Sequence, residues 1–149
     1  DAMTLAKTLG GGMPIGAMVA SERLSDVLKP GTHASTFGGS PIVCAASLAV
    51  FEAIEKDGLI KNAEEMGRYL KGKLNKLKSR HSIIREIRGM GLMIGLELKS
   101  NGKDIAEACI DKGLLINCTH NTVLRLMPPM IVGKKDIDRA ISILDEVLR

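Results

Sequence analysis

Aromatic residues are almost absent from this chain of 149 residues, which has no Trp, one Tyr and two Phe. The hydrophobic core must therefore be aliphatic, built from Leu, Ile, Val, Ala and the eight Met. The longest apolar run, from Ile42 to Phe51, is about half of the ~20 residues that a membrane-spanning helix needs. We therefore expect a core helix at this position and no membrane partner.

The cysteines are few, and their spacing excludes two classes of small domain. Cys44, Cys109 and Cys118 are odd in number and lack CxxC spacing, so they suggest neither a disulfide framework nor a metal site. A reducing, cytoplasmic setting fits this usage. The net charge of +4 comes largely from residues 61–80, where Lys and Arg alternate with apolar residues at helical spacing. Without aromatic platforms or a nucleic-acid motif, this stripe indicates a solvated helix face, with a basic RNA-binding fragment as the alternative.

The hydrophobic pattern alternates between the periods of strands and helices, which predicts an α/β fold. The first expected elements are a buried strand at 15–20, a short helix at 21–28 and a helix that begins at Pro41, with Ser40 as N-cap, and ends at Gly58. A second long helix follows, and its apolar face consists of Ala63, Met66, Leu70, Leu74 and Leu77. A strand at 92–98, a helix at 103–112 and strands at 114–118 and 123–127 come next, before a final helix that buries Ile137, Ala140, Ile141, Leu144 and Leu148. The change of pattern between Ile54 and Ile60 predicts a domain boundary that separates residues 1–57 from residues 58–149. Asp1 is not Met, and a Lys and three Gly follow closely, so we expect a segment of a longer protein.

Lys7 lies between apolar residues and a run of glycines, in the segment Leu5-Ala6-Lys7-Thr8-Leu9-Gly10-Gly11-Gly12. A lone lysine at a strand end is usually a surface residue, but these flanks could hold the amine in a dry site as a nucleophile. The glycines would let the backbone approach a ligand, although they match neither the dinucleotide-binding nor the P-loop motif. The stretch from Asp1 to Ala17 closely resembles the cofactor-lysine segment of class III (fold-type I) aminotransferases. This resemblance implies the fold of that family, pyridoxal 5'-phosphate as the cofactor, and Lys7 as the catalytic residue that forms a Schiff base with it.

A polar loop, Gly31-Thr32-His33-Ala34-Ser35-Thr36-Phe37-Gly38-Gly39-Ser40-Pro41, precedes the first long helix. Its hydroxyls could cap that helix, or together with backbone N–H groups they could bind a phosphate. The loop resembles the family's H-x-S-T-F/Y-G-G-N-P motif, with Ser40 in place of the usual Asn. The resemblance implies that Thr36, with Ser35 beside it, binds the cofactor phosphate of the neighbouring subunit in a homodimer with a shared active site. His33 is expected to be structural.

Arg125 lies between Leu124 and Leu126 in an expected strand, so its side chain points away from theirs. Its side chain lies either on the solvent-exposed face of the sheet or against an anion, because a buried, unpaired guanidinium is costly. The segment Val123 to Pro129 resembles the family's R-x-x-P-P motif, which implies that Arg125 binds a substrate carboxylate, and its planar fork suits that task. Arg88-Gly89-Met90-Gly91 also resembles the family, and we expect it to be a structural turn into a strand.

Within the family, the stretch from Leu114 to Thr119 followed by Leu124-Arg125 looks most like the acetylornithine aminotransferases. This implies transamination of N-acetylornithine with 2-oxoglutarate to N-acetylglutamate semialdehyde and glutamate, in arginine biosynthesis. Ornithine, 4-aminobutyrate and diaminopelargonate aminotransferases share the general motifs and are alternatives, as is a non-catalytic oligomerisation fragment. The family's pyridine-nitrogen carboxylate, phosphate cup and ring-stacking aromatic would lie before residue 1, so the 149 residues alone are expected to be inactive.

Overall fold

The computed structural model describes residues 1–149 and contains six strands and four α-helices, which confirms the predicted α/β class. It divides into two compact units, Asp1–Gly58 and Leu59–Arg149. The first unit holds a two-stranded sheet and the second a four-stranded sheet. None of the helices combines the length and the apolar character that crossing a membrane requires.

The first unit begins with two paired strands, β1 (Ala2–Leu5) and β2 (Ala17–Ala20), which run antiparallel with Ala2 opposite Ala20. A 3₁₀-helix at Lys7–Gly10 follows β1 directly. The strand predicted at 15–20 forms at Ala17–Ala20, but its predicted burial is wrong for this chain, because β2 is exposed along its whole length and a two-stranded ribbon has few neighbours to cover it. The helix predicted at 21–28 is also wrong, since only a short 3₁₀-helix, Glu22–Leu24, forms there.

The helix α1 (Pro41–Lys56) begins as predicted, with Ser40 at the N-cap and Pro41 in the first turn. Gly58, with a φ of 62°, follows its end. The expectation of a core helix is wrong for this chain, since the only buried residue of α1 is Ser47. The large apolar side chains that α1 leaves exposed are Ile42, Leu48 and Phe51, because the 149 residues include nothing that covers them.

The sheet of the second unit contains four antiparallel strands, and their order across it is β3 (Ile84–Met90), β4 (Met93–Leu98), β6 (Val123–Leu126) and β5 (Asn117–Thr119). The alternation predicted for residues 92–98 is confirmed, with Leu92, Ile94, Leu96 and Leu98 buried. Strand β3 was not predicted. One face of the sheet therefore carries the core, and the other face is left for polar side chains.

Three helices complete the second unit: α2 (Leu59–Arg80), α3 (Lys103–Asp111) and α4 (Lys134–Val147). The predicted apolar face of α2 is confirmed, because Met66, Leu70, Leu74 and Leu77 are buried and Ala63 packs against the same core. From α4, Ile137 and Leu144 are buried in this core, and Ile141 and the C-cap residue Leu148 pack against it. The core is aliphatic, as the shortage of aromatic residues predicts.

Charged side chains tie α2 to α4 at two points. The Tyr69 hydroxyl donates to Oδ1 of Asp138 at 2.8 Å, and Lys73 Nζ lies 2.6 Å from the same oxygen. The hydrogen bonds from Lys73 and Tyr69 hold the pKa of Asp138 below its usual range. Directly after the end of α2, His81 Nε2 lies 2.6 Å from Oδ1 of Asp145, and this hydrogen bond holds the pKa of that carboxyl below its usual range.

The main chain of helix α2 packs directly against the main chain of the turn between β3 and β4. A Cβ atom built on Gly67 would lie 2.2 Å from the carbonyl oxygen of Gly91, far inside van der Waals contact. Gly89, near the end of β3, and Gly91, in the turn, have φ values of 141° and 51°, which glycine adopts without steric cost. Lys71 Nζ also donates to the carbonyl oxygen of Gly89. Helix α2 and this hairpin therefore approach so closely that any side chain at Gly67 would collide with main-chain atoms.

Candidate functional site

Lys7 has a left-handed backbone, with a φ of 55°, at the first residue of its 3₁₀-helix. A residue with a Cβ atom loses roughly 1–2 kcal/mol in this region. Strain of this kind persists only where the surrounding structure determines it, and it is found preferentially at functional sites. The strained backbone therefore indicates that Lys7 is a candidate functional residue, independently of its sequence motif.

The glycines after Lys7 pack the segment against its neighbours. A Cβ atom on Gly10 would lie 2.9 Å from Cγ2 of Ile15, and one on Gly11 would lie 3.1 Å from Cγ2 of Val50 on α1. Only Gly12 has open space where its side chain would be. The absence of a side chain at Gly10 and Gly11 thus permits close packing within the chain. The sequence instead predicts that these glycines let the backbone approach a ligand.

The side chain of Lys7 is exposed, and no ion pair of the chain involves it. The dry site suggested by its apolar flanks is therefore not formed by these 149 residues. The amine of Lys7 is therefore accessible at the start of its 3₁₀-helix.

The loop before α1 uses its hydroxyls differently from a helix cap. Ser35 Oγ accepts a hydrogen bond from the backbone N–H of Gly38 at 3.1 Å, and Ser40 makes no side-chain cap bond. Thr36 is exposed and its hydroxyl has no partner within the chain. The structure thus argues against capping as the role of this loop. No hydrogen bond joins Lys7 to Ser35 or Thr36.

Arg125 lies on β6, in the second unit, on the face of the sheet opposite the core. Its neighbours Leu124 and Leu126 are buried, and Arg125 itself is exposed, as the alternation predicts. The register places Arg125 opposite Gly95 on β4 and opposite Asn117 on β5. Arg125 Nε donates to Oδ1 of Asn117 at 3.2 Å. No carboxylate of the chain pairs with this guanidinium.

The same row of the sheet contains a second arginine with different partners. Arg88 on β3 lies opposite Gly95, so the row reads Arg88, Gly95, Arg125, Asn117 across the four strands. Arg88 Nη1 contacts Oε2 of Glu97 and lies 3.4 Å from Oε2 of Glu86. Arg88 is therefore neutralised by carboxylates, whereas Arg125 keeps an uncompensated charge.

Sequence reasoning missed Asn117 as a partner of Arg125, although the sequence contains a signal for it. Asn117 and Arg125 are separated from Asn121 by the same number of residues along the sequence. Asn121 lies in a tight turn, where His120 and Asn121 have φ values of 49° and 61°. A hairpin centred there places Asn117 directly opposite Arg125. Identifying the pair from sequence alone requires the register of the hairpin as well as its existence.

The family model "Aminotransferase class-III" matches residues 1–148, and the chain belongs to this family. The acetylornithine aminotransferase of Methanocaldococcus jannaschii is 52% identical over 149 residues, which are 99% of this chain and 37% of that protein. That of Caldanaerobacter subterraneus subsp. tengcongensis is 49% identical over 149 residues, which are 99% of this chain and 38% of that protein. The chain therefore spans less than two fifths of the length of these curated relatives.

Solved structures show the same relationship. The acetylornithine aminotransferase of Elizabethkingia anophelis matches with a TM-score of 0.92 at 30% identity, over 99% of this chain and 40% of that one. The ornithine δ-aminotransferase of Plasmodium falciparum matches with a TM-score of 0.93 at 32% identity, also over 99% of this chain and 40% of that one. The resemblance to fold-type I aminotransferases seen in the sequence is thereby confirmed.

Proposed function

We propose that this chain is part of an aminotransferase that moves the δ-amino group of N-acetylornithine to 2-oxoglutarate. The products would be N-acetylglutamate semialdehyde and glutamate, as arginine biosynthesis in the cytoplasm requires. The observation that carries the proposal is the 52% identity, over 149 residues, to a protein named acetylornithine aminotransferase. Residues 1–57 would form the end of a large cofactor domain with its connecting helix, and residues 58–149 a small C-terminal domain.

The side chains of the candidate site fit pyridoxal 5'-phosphate. Lys7 offers an exposed amine without an ion-pair partner, and Thr36 offers a hydroxyl without a hydrogen-bond partner, which suit an aldehyde and a phosphate respectively. When bound, this cofactor supplies an electron sink for the substrate carbon. Lys7 would hold it through Nζ and then move a proton at the substrate carbon, while Thr36 and Ser35 would hold its phosphate. Arg125 would bind a carboxylate of the amino acid or the oxo acid.

The proposed enzyme is a homodimer whose two active sites each use both subunits. Thr36 is exposed in its own chain, and no bond joins it to Lys7, which supports its contribution to the site of a partner. Two-fold symmetry would give each of the two pockets a Lys7 from one chain and a Thr36 from the other. A non-catalytic oligomerisation fragment is disfavoured, because Lys7, Thr36 and Arg125 are all present and available.

Ornithine is the second candidate for the amino donor. The observation that favours it is the match to the Plasmodium falciparum ornithine δ-aminotransferase, whose TM-score is 0.93, compared with 0.92 for the acetylornithine enzyme. The two donors differ by an acetyl group on the α-nitrogen, and therefore by the charge of that nitrogen.

The first prediction is that the full-length holoenzyme reacts faster with N-acetylornithine than with other amino donors. The comparison uses only the half-reaction in which the donor transfers its amino group to the cofactor, without 2-oxoglutarate. We expect a kcat/KM at least roughly tenfold higher than for ornithine or 4-aminobutyrate, since a site fitted to one donor leaves polar groups unpaired with another. The loss of the visible absorbance of the bound cofactor measures each rate. A preference for ornithine would replace the proposed donor with the second candidate.

The second prediction concerns the planar fork of Arg125. In the full-length enzyme, Arg125→Lys keeps the charge but loses the paired hydrogen bonds, so it is not conservative. We expect the apparent affinity for 2-oxoglutarate to fall by roughly ten- to a hundredfold, the equivalent of about 1.5–3 kcal/mol for a charged hydrogen bond. The KM for 2-oxoglutarate and that for glutamate measure this effect.

Arg139→Lys is the matched control for this variant, because Arg139 is exposed on α4 and makes no ion pair. It should leave both KM values unchanged. Unchanged kinetics for Arg125→Lys with both glutamate and 2-oxoglutarate would assign Arg125 to the solvated face alone.

A further inference from the structure

The guanidinium of Arg125 is held on one edge and open on the other. Asn117 Oδ1 accepts the Nε–H of Arg125 at 3.2 Å, and both side chains are exposed. On the opposite side of Arg125, the register places Gly95, which has no side chain. A guanidinium presents five N–H donors in a fixed fork. With Nε engaged, the two Nη groups form the edge that remains for an incoming carboxylate.

The partner of Nε is neutral, and this matters for an anion site. In the same row of the sheet, Arg88 contacts the carboxylates of Glu86 and Glu97, which compensate its charge. An amide oxygen fixes the direction of a guanidinium without compensating its charge. Arg125 therefore combines a fixed orientation with a full positive charge, which Arg88 does not.

We propose that Asn117 is a positioning residue that orients Arg125 through Nε, so that the Nη edge of Arg125 binds a substrate carboxylate end-on. This inference rests on the proposed function, because Arg125 is there assigned to carboxylate binding. Asn117 itself does not touch the substrate. Its side chain acts by restricting the rotamers of Arg125, which lowers the entropy lost when the carboxylate is bound.

The test uses the full-length holoenzyme and glutarate, a dicarboxylate without a reacting carbonyl, and measures its dissociation constant by calorimetry. We expect Asn117→Ala to weaken glutarate binding by roughly three- to tenfold, the effect of one hydrogen bond. Asn117→Asp should weaken it as well, because a carboxylate at this position would compensate the charge of Arg125. The KM for 2-oxoglutarate should rise in both variants while the visible spectrum of the bound cofactor stays unchanged.

A double-mutant cycle separates positioning from a general structural effect. In an Arg125→Ala background, Asn117→Ala should cause no further loss of glutarate affinity. Asn75→Ala is the matched control, since Asn75 is an exposed amide on α2 without a hydrogen bond, and it should bind glutarate like the wild type.

Each contrary result identifies what fails. If Asn117→Ala or Asn117→Asp binds glutarate like the wild type while Arg125→Ala does not, positioning by a neutral amide is overturned and the proposed function stands. An additional loss on Asn117→Ala in the Arg125→Ala background would show that Asn117 acts independently of Arg125, which also overturns the inference. If Arg125→Ala itself leaves glutarate affinity unchanged, the carboxylate role of Arg125 falls, and the positioning role falls with it.

Discussion

Replacing Lys7 by Ala in the full-length protein is expected to abolish the visible absorbance of the bound cofactor and nearly all transamination. In the proposed enzyme this amine would both anchor the cofactor and move a proton, and general acid–base catalysis alone contributes roughly 10²–10⁴-fold to a rate. We therefore expect kcat/KM to fall by at least about a thousandfold. The left-handed backbone at residue 7 also disfavours Ala, so the loss of function should come without a gain in stability.

Lys56→Ala is the matched control for this experiment, because Lys56 is an exposed lysine in the last turn of α1 with no ion pair. Its absorbance and activity should equal those of the wild type. Borohydride reduction of the wild-type holoenzyme, followed by peptide mapping, should place the cofactor on the peptide that contains Lys7. A label on any other lysine would reject the assignment, whatever the activity of Lys7→Ala.

A heterodimer of one Lys7→Ala chain and one Thr36→Ala chain is expected to retain about half of the wild-type activity, since two-fold symmetry creates two equivalent pockets. In a shared site, one pocket carries both substitutions and the other carries neither. The Thr36→Ala homodimer itself should bind the cofactor more weakly by about 1.5–3 kcal/mol, the range for a hydrogen bond to a charged group. The assay therefore needs a cofactor concentration near the wild-type dissociation constant, where this loss appears as lost activity.

Activity near zero in the isolated heterodimer would mean that each pocket takes Lys7 and Thr36 from the same chain. The shared site would then be wrong, although the cofactor role of either residue could stand. Thr36→Ser is the conservative control, because it keeps the hydroxyl and removes only a methyl group. It should bind the cofactor much more tightly than Thr36→Ala.

Strand β4 and the helices of the second unit could be predicted from the sequence because each has one apolar face with the correct period. Residues 92–98 alternate cleanly, and α2 repeats its apolar residues at helical spacing, so both were found. Strand β3 was missed because Arg85, Glu86 and Arg88 leave it only Ile84 fully buried. Its pairing with β4 is a local hairpin, with Met90 opposite Met93, but its polar residues leave no alternation from which the strand could be predicted.

Burial in the first unit was predicted incorrectly for a different physical reason. Apolar periodicity shows that Leu48 and Phe51 belong on a face that avoids water, but it does not show which residues cover that face. For the candidate site, Lys7, Thr36 and Arg125 could be predicted because the motifs that contain them are contiguous in sequence. The hydrogen bond between Arg125 and Asn117 could not be predicted, because it depends on the register of one hairpin.

The backbone contact between Gly67 and Gly91 limits how this chain can evolve. Most packing defects in a protein core can be compensated by a second substitution that shrinks or reshapes a neighbouring side chain. At Gly67 the obstacle to any Cβ atom is the carbonyl group of Gly91, and every amino acid at residue 91 would place the same carbonyl there. A substitution at Gly67 should therefore have no single-residue suppressor within the turn. Only a change in the length or path of the backbone between β3 and β4 would create the missing space.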